Sequence, residues 1–134
     1  MRHSLSFSVI IPLYNKEPYI TRAVRSVLAQ DWQDYELLVV DDGSTDNGRG
    51  VVREQFQDPR IRLVVQENSG EGGARNRCIA EMRGDIAVFL NAGDEWLPTH
   101  LGHTAELAIG FPQAGCFVTG YRSMFRGGGL SAVS

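Results

Sequence analysis

The sequence predicts an α/β fold, a Rossmann-like and mostly parallel sheet with helices on both faces. Short apolar runs rich in β-branched residues alternate along the chain with segments of helical period. This alternation builds a parallel sheet with right-handed crossovers. The 15 glycines fall mostly between these runs, where loops are expected.

The first half of the chain contains two predicted strands and two predicted helices. The segment Phe7–Ile11 is short, β-branched and stopped by Pro12, as expected of a buried strand. A helix follows, because apolar residues recur with helical spacing at Ile20, Ala23, Val24, Val27 and Leu28. The segment Glu36–Val40 is the second strand. The second helix is marked by Val51, Val52 and Phe56.

The second half continues the alternation and then fades. Strands are predicted at Ile61–Val65, Ile86–Leu90 and Cys116–Thr119, and helices over a segment that carries Cys78 and from Pro98 to about Ile109. Gly84 is expected to cap the third helix at its C-terminus. Because the pattern fades after Tyr121, we expect residues 1–134 to form a single domain that is truncated at its C-terminus.

Composition excludes several function classes. The net charge of −3 argues against non-specific nucleic-acid binding, which requires a basic surface. No apolar run approaches the roughly 20 residues that span a bilayer, and the N-terminus lacks the apolar stretch of a signal peptide, so a cytoplasmic protein is expected. Cys78 and Cys116 lie far apart in apolar segments, which favours two buried thiols over a disulfide or a zinc site.

Polar residues cluster where the predicted strands end, at Pro12–Asn15, Asp41–Asp42, Asn68 and Asn91–Asp94. Each cluster has a simpler explanation, since the two aspartates could cap the next helix and the last cluster could be an ordinary turn. Because the carboxyl ends of parallel strands meet at one edge of the sheet, a common ligand site is favoured.

The sequence resembles the family 2 glycosyltransferases, which have the GT-A fold. The matching stretches are Val9–Asn15, Ser26–Gln30, Glu36–Asp46, Ala74–Asn76 and Phe89–Pro98. Each motif alone is weak, but together they occur in order and with matching spacing from Phe7 to about Tyr121.

The resemblance implies a site for a nucleotide-diphosphosugar. In the family, the Pro12 and Tyr14 positions enclose the base and ribose, and the Asp42 position accepts a hydrogen bond from a uracil-like N–H. Arg75 could meet the diphosphate near a helix N-terminus, although it could equally brace the loop through a salt bridge. The candidate nucleotide-binding residues are Pro12, Tyr14, Asn15, Asp41, Asp42, Arg75 and Asn91. Trp96 is expected to cover the site as a lid, and His100 and His103 are expected to be solvated.

The metal motif of the family is altered in this chain. The usual Asp-x-Asp pattern holds a divalent metal, whereas this chain has Asn91-Ala92-Gly93-Asp94. Because magnesium and manganese prefer charged oxygen ligands, we expect weak binding of Mn or Mg, with Asp94 as the metal ligand.

The resemblance implies inverting transfer of a sugar from a UDP-, GDP- or dTDP-sugar to a hydroxyl of an unidentified saccharide or lipid-linked acceptor. The family's general base lies in a C-terminal half that this chain is expected to lack, so no catalytic residue is assigned. One alternative is a non-catalytic module that binds a nucleotide or another chain. Another is a fragment without a ligand that dimerises. Apolar surface beside the fifth strand, at Phe117, Val118 and Tyr121, is expected to favour self-association.

Overall fold

A computed structural model describes residues 5–110, apart from the side chains of residues 71, 74, 75 and 108–110. Strands and helices alternate throughout this range: β1 Phe7–Leu13, α1 Glu17–Leu28, β2 Tyr35–Asp42, α2 Gly48–Gln55, β3 Ile61–Gln66, α3 Gly70–Glu81, β4 Ile86–Phe89 and α4 His100–Gly110. The predicted fold class is confirmed. The predicted fifth strand and the apolar surface beside it lie outside the described residues.

The four strands form one parallel sheet in the order β3-β2-β1-β4. The chain moves outward from β1 through β2 to β3, and then returns to the other side of β1 to form β4. Strand order therefore reverses between β1 and β4, and a crevice opens there at the carboxyl edge of the sheet. In the register, Leu13 pairs with Asp41 and Asp42 pairs with Gln66, so the polar loops leave the sheet at similar heights.

Apolar residues cover both faces of the sheet. The larger cluster lies between the sheet and the helices α1, α2 and α4, and it includes Val9, Ile11 and Leu13 of β1. Helix α1 contributes the residues that its spacing predicts, since Ile20, Ala23, Val24 and Val27 are buried. On the opposite face, Ile10, Leu38 and Val40 pack against Cys78 of α3. Helices therefore flank the sheet on both sides.

Cys78 is fully buried, and burial raises the pKa of its thiol to about 11. The prediction of a buried thiol is confirmed for Cys78, whereas Cys116 lies outside the described residues. None of the helices within residues 5–110 has the length and apolarity needed to cross a bilayer.

Two predicted helix ends are wrong. Helix α3 ends at Glu81 with Met82 as its C-cap, so Gly84 is not the cap. A Cβ at Gly84 would lie 2.7 Å from the carbonyl carbon of Phe7 and 2.8 Å from the amide nitrogen of Ser8, so this glycine allows two backbone segments to approach closely. Helix α4 begins at His100, two residues after Pro98, which lies in the preceding turn.

Candidate functional site

A cleft of about 860 Å³ lies at the carboxyl edge of the sheet. It is lined by the ends of β1 and β2, the loop after β4, and the first turns of α1 and α3. Most of the predicted site residues line it, namely Pro12, Tyr14, Asp42, Asn91 and Asp94. Asn15 and Asp41 do not line the cleft, and the side chain of Arg75 lies outside the described residues.

The carboxylate of Asp42 holds the loop that precedes α3. Its Oδ1 accepts hydrogen bonds from Gln66 Nε2 and from the Ser69 amide, both at 2.9 Å, and its Oδ2 accepts one from the Gly70 amide at 3.1 Å. Burial pushes the pKa of Asp42 upward, but these hydrogen bonds outweigh burial and hold the pKa below its ordinary value. Asp42 therefore does cap a helix, although the helix is α3 and not α2, the next one along the chain.

Asp41 points to the other face of the sheet, because side chains alternate along β2. It is fully buried, and its Oδ2 lies 3.4 Å from Arg49 Nη1 on α2. Its Oδ1 has no hydrogen-bond partner among the described residues. Asp41 is therefore separated from the cleft that its neighbour lines, which corrects its inclusion among the candidate binding residues.

Asn15 supports the cleft from behind the loop that carries Tyr14. Its φ of 50° is positive, a conformation that asparagine tolerates better than most residues. Its Oδ1 accepts hydrogen bonds from the amides of Thr45 at 2.8 Å and Asp46 at 3.3 Å. Its own amide donates to Ser44 Oγ at 3.0 Å. Asn15 thus joins the β1–α1 loop to the β2–α2 loop without lining the cleft.

The loop after β4 does not offer a full set of ligands for a divalent metal. Asp94 is buried, and its Oδ2 accepts a hydrogen bond from Asn91 Nδ2 at 3.3 Å. Glu95 pairs instead with Arg22, with 3.0 Å between its Oε2 and Arg22 Nε. Within residues 5–110, no three acidic, histidine or cysteine side chains come together as a metal site. Asp94 is the only carboxylate of this loop that lines the cleft.

Sequence reasoning missed several residues of the cleft. Lys16, Tyr19 and Arg22 line it from the start of α1, and Lys16 Nζ lies 5.8 Å from the centroid of the Tyr19 ring. Asn68, which the sequence places at a strand end without a binding role, also lines the cleft and donates to the Asp42 carbonyl oxygen at 3.1 Å. The spacing i, i+3, i+6 of the α1 residues is the sequence signal that could have identified one polar helix face.

Two predictions about aromatic rings are wrong. Trp96 is only 3% exposed and belongs to the core, so it does not form a lid. Its ring stacks on that of His100, with 4.4 Å between centroids and 21° between planes. His100 is therefore not a solvated histidine. Burial, together with the smaller effect of nearby His103, lowers the pKa of His100 to about 4.

Gln30 fixes the segment that follows Asp94. This residue is 2% exposed, lies just after α1 and reaches the connection between β4 and α4. Its Nε2 donates to the Leu97 carbonyl at 2.7 Å, and its Oε1 accepts from the Leu101 amide at 2.9 Å. Because both ends of its amide are used, Gln30 holds the connection between β4 and α4 against the end of α1.

Comparison with known proteins identifies related sequences and folds. The family model described as glycosyl transferase family 2 matches residues 8–128. A relative from Nostoc sp. strain PCC 7120, named an uncharacterized glycosyltransferase, is 45% identical over 105 residues, which are 77% of this chain and 33% of the relative. The chain thus spans about a third of that relative's length.

Solved structures with a similar fold are also found. The crystal structure of S. aureus TarS in complex with UDP matches with a TM-score of 0.74 and 29% identity, over 81% of this chain and 33% of that one. The mannosyltransferase PcManGT from Pyrobaculum calidifontis, solved with GDP-Man and Mn²⁺, matches with a TM-score of 0.72 and 29% identity, over 76% of this chain and 32% of that one.

Proposed function

Because the chain belongs to glycosyl transferase family 2, we propose that its cleft binds the nucleoside diphosphate of a sugar nucleotide. The observation that carries the proposal is the convergence of Tyr14, Asp42 and Asp94, which are distant in sequence, on one cleft at the carboxyl edge of the sheet. Its volume of about 860 Å³ is in the range of small-molecule sites. The UDP and GDP-Man complexes of the structural relatives support the same ligand class for this chain.

The base and ribose are assigned to the side of the cleft formed by Pro12, Tyr14 and Asp42. The Tyr14 side chain is 47% exposed, so its ring is available for stacking on a base. Within the part of the chain that the structure describes, Asp42 Oδ2 accepts one hydrogen bond, from the Gly70 amide, and a carboxylate oxygen has about two acceptor positions. The remaining position suits a base that presents an N–H, as uracil does.

The diphosphate is assigned to the opposite side, between α1 and the loop after β4. Arg75, the sixth residue of α3, remains a proposed partner of the phosphates. Among the described residues on this side of the cleft, Asp94 is the one carboxylate that could hold a divalent metal, with Asn91 as a neutral oxygen donor beside it. Such a donor set predicts weak binding of Mn²⁺ or Mg²⁺.

The proposed reaction is inverting transfer of the sugar to a hydroxyl of a saccharide or lipid-linked acceptor. The acceptor oxygen attacks the anomeric carbon, the bond to the diphosphate oxygen breaks, and a general base takes the hydroxyl proton. We assign that base to a part of the protein C-terminal to the described residues, which hold the donor side of the site.

A second candidate is a module that binds the nucleotide without turnover. The neutral residues Asn91 and Gly93 at the metal-motif positions favour it, because they supply no charge to stabilise a leaving diphosphate. Sugar transfer to saccharide or lipid-linked acceptors would support the enzyme. Nucleotide binding without such transfer would support the module.

Calorimetric titration with UDP, GDP, dTDP and ADP tests the proposed ligand. We expect binding of at least one of the first three, and about tenfold weaker binding in Tyr14→Ala, because loss of base stacking costs about 1–3 kcal/mol. Leu107→Ala is a matched control, since Leu107 on α4 is 46% exposed and does not line the cleft. Binding of none of the nucleotides, or equal weakening in both variants, would reject the proposal.

A further inference from the structure

We infer that Lys16 and Arg22 neutralise the nucleotide diphosphate in this chain, so that nucleotide binding does not require a divalent metal. The inference rests on the proposed function and concerns the charge balance of the same cleft. Both residues line the cleft from the start of α1, together with Asn91, Gly93 and Asp94 of the loop after β4.

The residues on the diphosphate side of the cleft do not form the set of ligands that a metal essential for binding would need. Asp94 supplies one carboxylate, and that group is already hydrogen-bonded to Asn91. Gly93 has no side chain, and Glu95 does not line the cleft. At phosphate sites, Mg²⁺ is usually held by one or two carboxylates together with the substrate phosphates, so a single carboxylate that is already hydrogen-bonded offers only a weak metal site. The charge of a diphosphate must therefore be balanced mainly by other groups.

Several backbone amides near the cleft already donate hydrogen bonds within the protein. At the start of α1, the Glu17 amide donates to Asp46 Oδ2 at 3.0 Å, and the Tyr19 and Ile20 amides bond to the Lys16 carbonyl. At the start of α3, the Gly70 amide donates to Asp42. The N-terminus of α1 therefore has little donor capacity left for an anion, and at α3 the Gly70 amide is already used. Among the described residues, Lys16 and Arg22 are the positively charged side chains that line the cleft.

The ion pair between Arg22 and Glu95 can open so that Arg22 binds the phosphates instead. The side chain of Arg22 is 55% exposed and that of Glu95 is 29% exposed, so their contact is weak and accessible to solvent. A diphosphate carries more negative charge than one carboxylate, and a guanidinium can bind phosphate oxygens through two parallel hydrogen bonds. Arg22 thus leaves Glu95 for the phosphates when the nucleotide enters.

Titration of the chain with UDP, in EDTA and then with manganese, tests the inference. We expect UDP to bind in EDTA, with an affinity that manganese changes by less than about threefold. Lys16→Gln and Arg22→Gln should each weaken UDP binding about tenfold, as expected for loss of a charge-assisted hydrogen bond. Binding of uridine, which has no phosphate and can be followed by NMR titration, should be unchanged in both variants.

Two further variants separate local from general charge effects. Glu95→Gln frees Arg22 and should tighten UDP binding about threefold, in the range of an exposed ion pair. Arg25→Gln makes the same charge change on the same helix, but Arg25 is exposed and does not line the cleft, so UDP affinity should stay near that of the wild type.

The outcomes distinguish the inference from the proposed function. UDP binding that is more than about tenfold weaker in EDTA would overturn the metal-independent site and leave the proposed function standing. Equal effects of Arg22→Gln and Arg25→Gln would overturn the role of Arg22. Absence of binding for UDP, GDP and dTDP, with or without manganese, would overturn the proposed function and this inference together.

Discussion

Asn15 Oδ1 lies 2.8 Å from the Thr45 amide nitrogen and 3.2 Å from Thr45 Oγ1, so one side chain joins the loops that follow β1 and β2. The link is reinforced one turn further on, where the Asn47 amide donates to Glu17 Oε1 at 3.0 Å. Tyr14, which lines the cleft, directly precedes Asn15. The position of the tyrosine therefore depends on a contact between two loops that are 30 residues apart in sequence.

Substitutions of Asn15 should separate its side chain from its backbone conformation. Asn15→Gly keeps the positive φ accessible and should lose about 1–2 kcal/mol of unfolding free energy with the hydrogen bonds. Asn15→Ala should lose about 1 kcal/mol more, because alanine is strained at this φ. Asn15→Asp keeps the acceptor and should lose least. Urea denaturation measures the order, and equal losses for glycine and alanine would contradict the strain at this position.

Gly84→Ala should destabilise the protein by about 2 kcal/mol, because the new Cβ would collide with backbone atoms. The nearest atoms belong to Phe7 and Ser8, and the Gly84 amide donates to Ser8 Oγ at 2.8 Å. Gly72→Ala is the matched control. It lies in α3 with no heavy atom within 4 Å of an added Cβ, so it should gain about 0.5–1 kcal/mol from helix propensity. A neutral Gly84→Ala in thermal or urea unfolding would contradict the close approach.

His100 should make the stability of the protein sensitive to mild acid. Its pKa is lowered from 6.5 to about 4, mainly by burial. Between these values the unfolded chain binds a proton that the folded chain does not bind, so unfolding free energy falls as the pH decreases. After allowance for partial exposure, the loss from pH 7 to pH 4 should be about 2 kcal/mol.

Non-titrating variants test this assignment. His100→Phe keeps a ring against Trp96, and His100→Gln is a smaller alternative in case the phenyl ring does not fit. Both should show a flatter dependence of unfolding free energy on pH between 4 and 6.5 than the wild type. His103→Gln removes only the lesser cause of the shift and should retain most of the slope. Equal slopes in the His100 variants and the wild type would show that other groups dominate.

The sequence predicted well those features that depend on local periodicity. The four buried residues of α1 follow from their spacing, and the four strands within the described residues were located to within two residues at each end. Gly84 could not be assigned in this way. A glycine after a helix suggests a C-cap, but the need for glycine arises here from β1, a segment 76 residues earlier in the chain.

The site was predicted less completely, because side-chain direction and strand order both matter. Asp41 and Asp42 are adjacent in sequence, yet the alternation of β2 sends one to α2 and the other to the cleft. Lys16 and Arg22 resemble the polar face of any surface helix. They become site residues because β4 lies beside β1, which brings the loop with Asp94 and Glu95 against α1. Trp96 follows that loop, but its large apolar ring is better accommodated in the core.

Asp42→Asn should weaken the start of α3 in a pH-dependent manner. The carboxylate accepts hydrogen bonds from Gln66, Ser69 and Gly70, and a neutral amide cannot accept them all, so unfolding free energy at pH 7 should fall by about 2 kcal/mol. The pKa of Asp42 is held below its ordinary value in the folded state. The stabilisation is therefore present above the pKa of the unfolded chain, and it is lost as the pH falls through the folded pKa.

The difference in unfolding free energy between the wild type and Asp42→Asn should accordingly narrow as the pH falls below 3.8, the ordinary pKa of an aspartate. Hydrogen exchange gives a local readout, because the amides of Ser69 and Gly70 lose their acceptor and should exchange faster. Asp34→Asn makes the same change at an exposed position outside the cleft. It should alter neither the unfolding free energy nor the exchange rates of the Ser69 and Gly70 amides. A difference in unfolding free energy that stays constant with pH would mean that the charge of Asp42 does not stabilise the start of α3. Its place at the cleft would then depend on the packing of β2 alone.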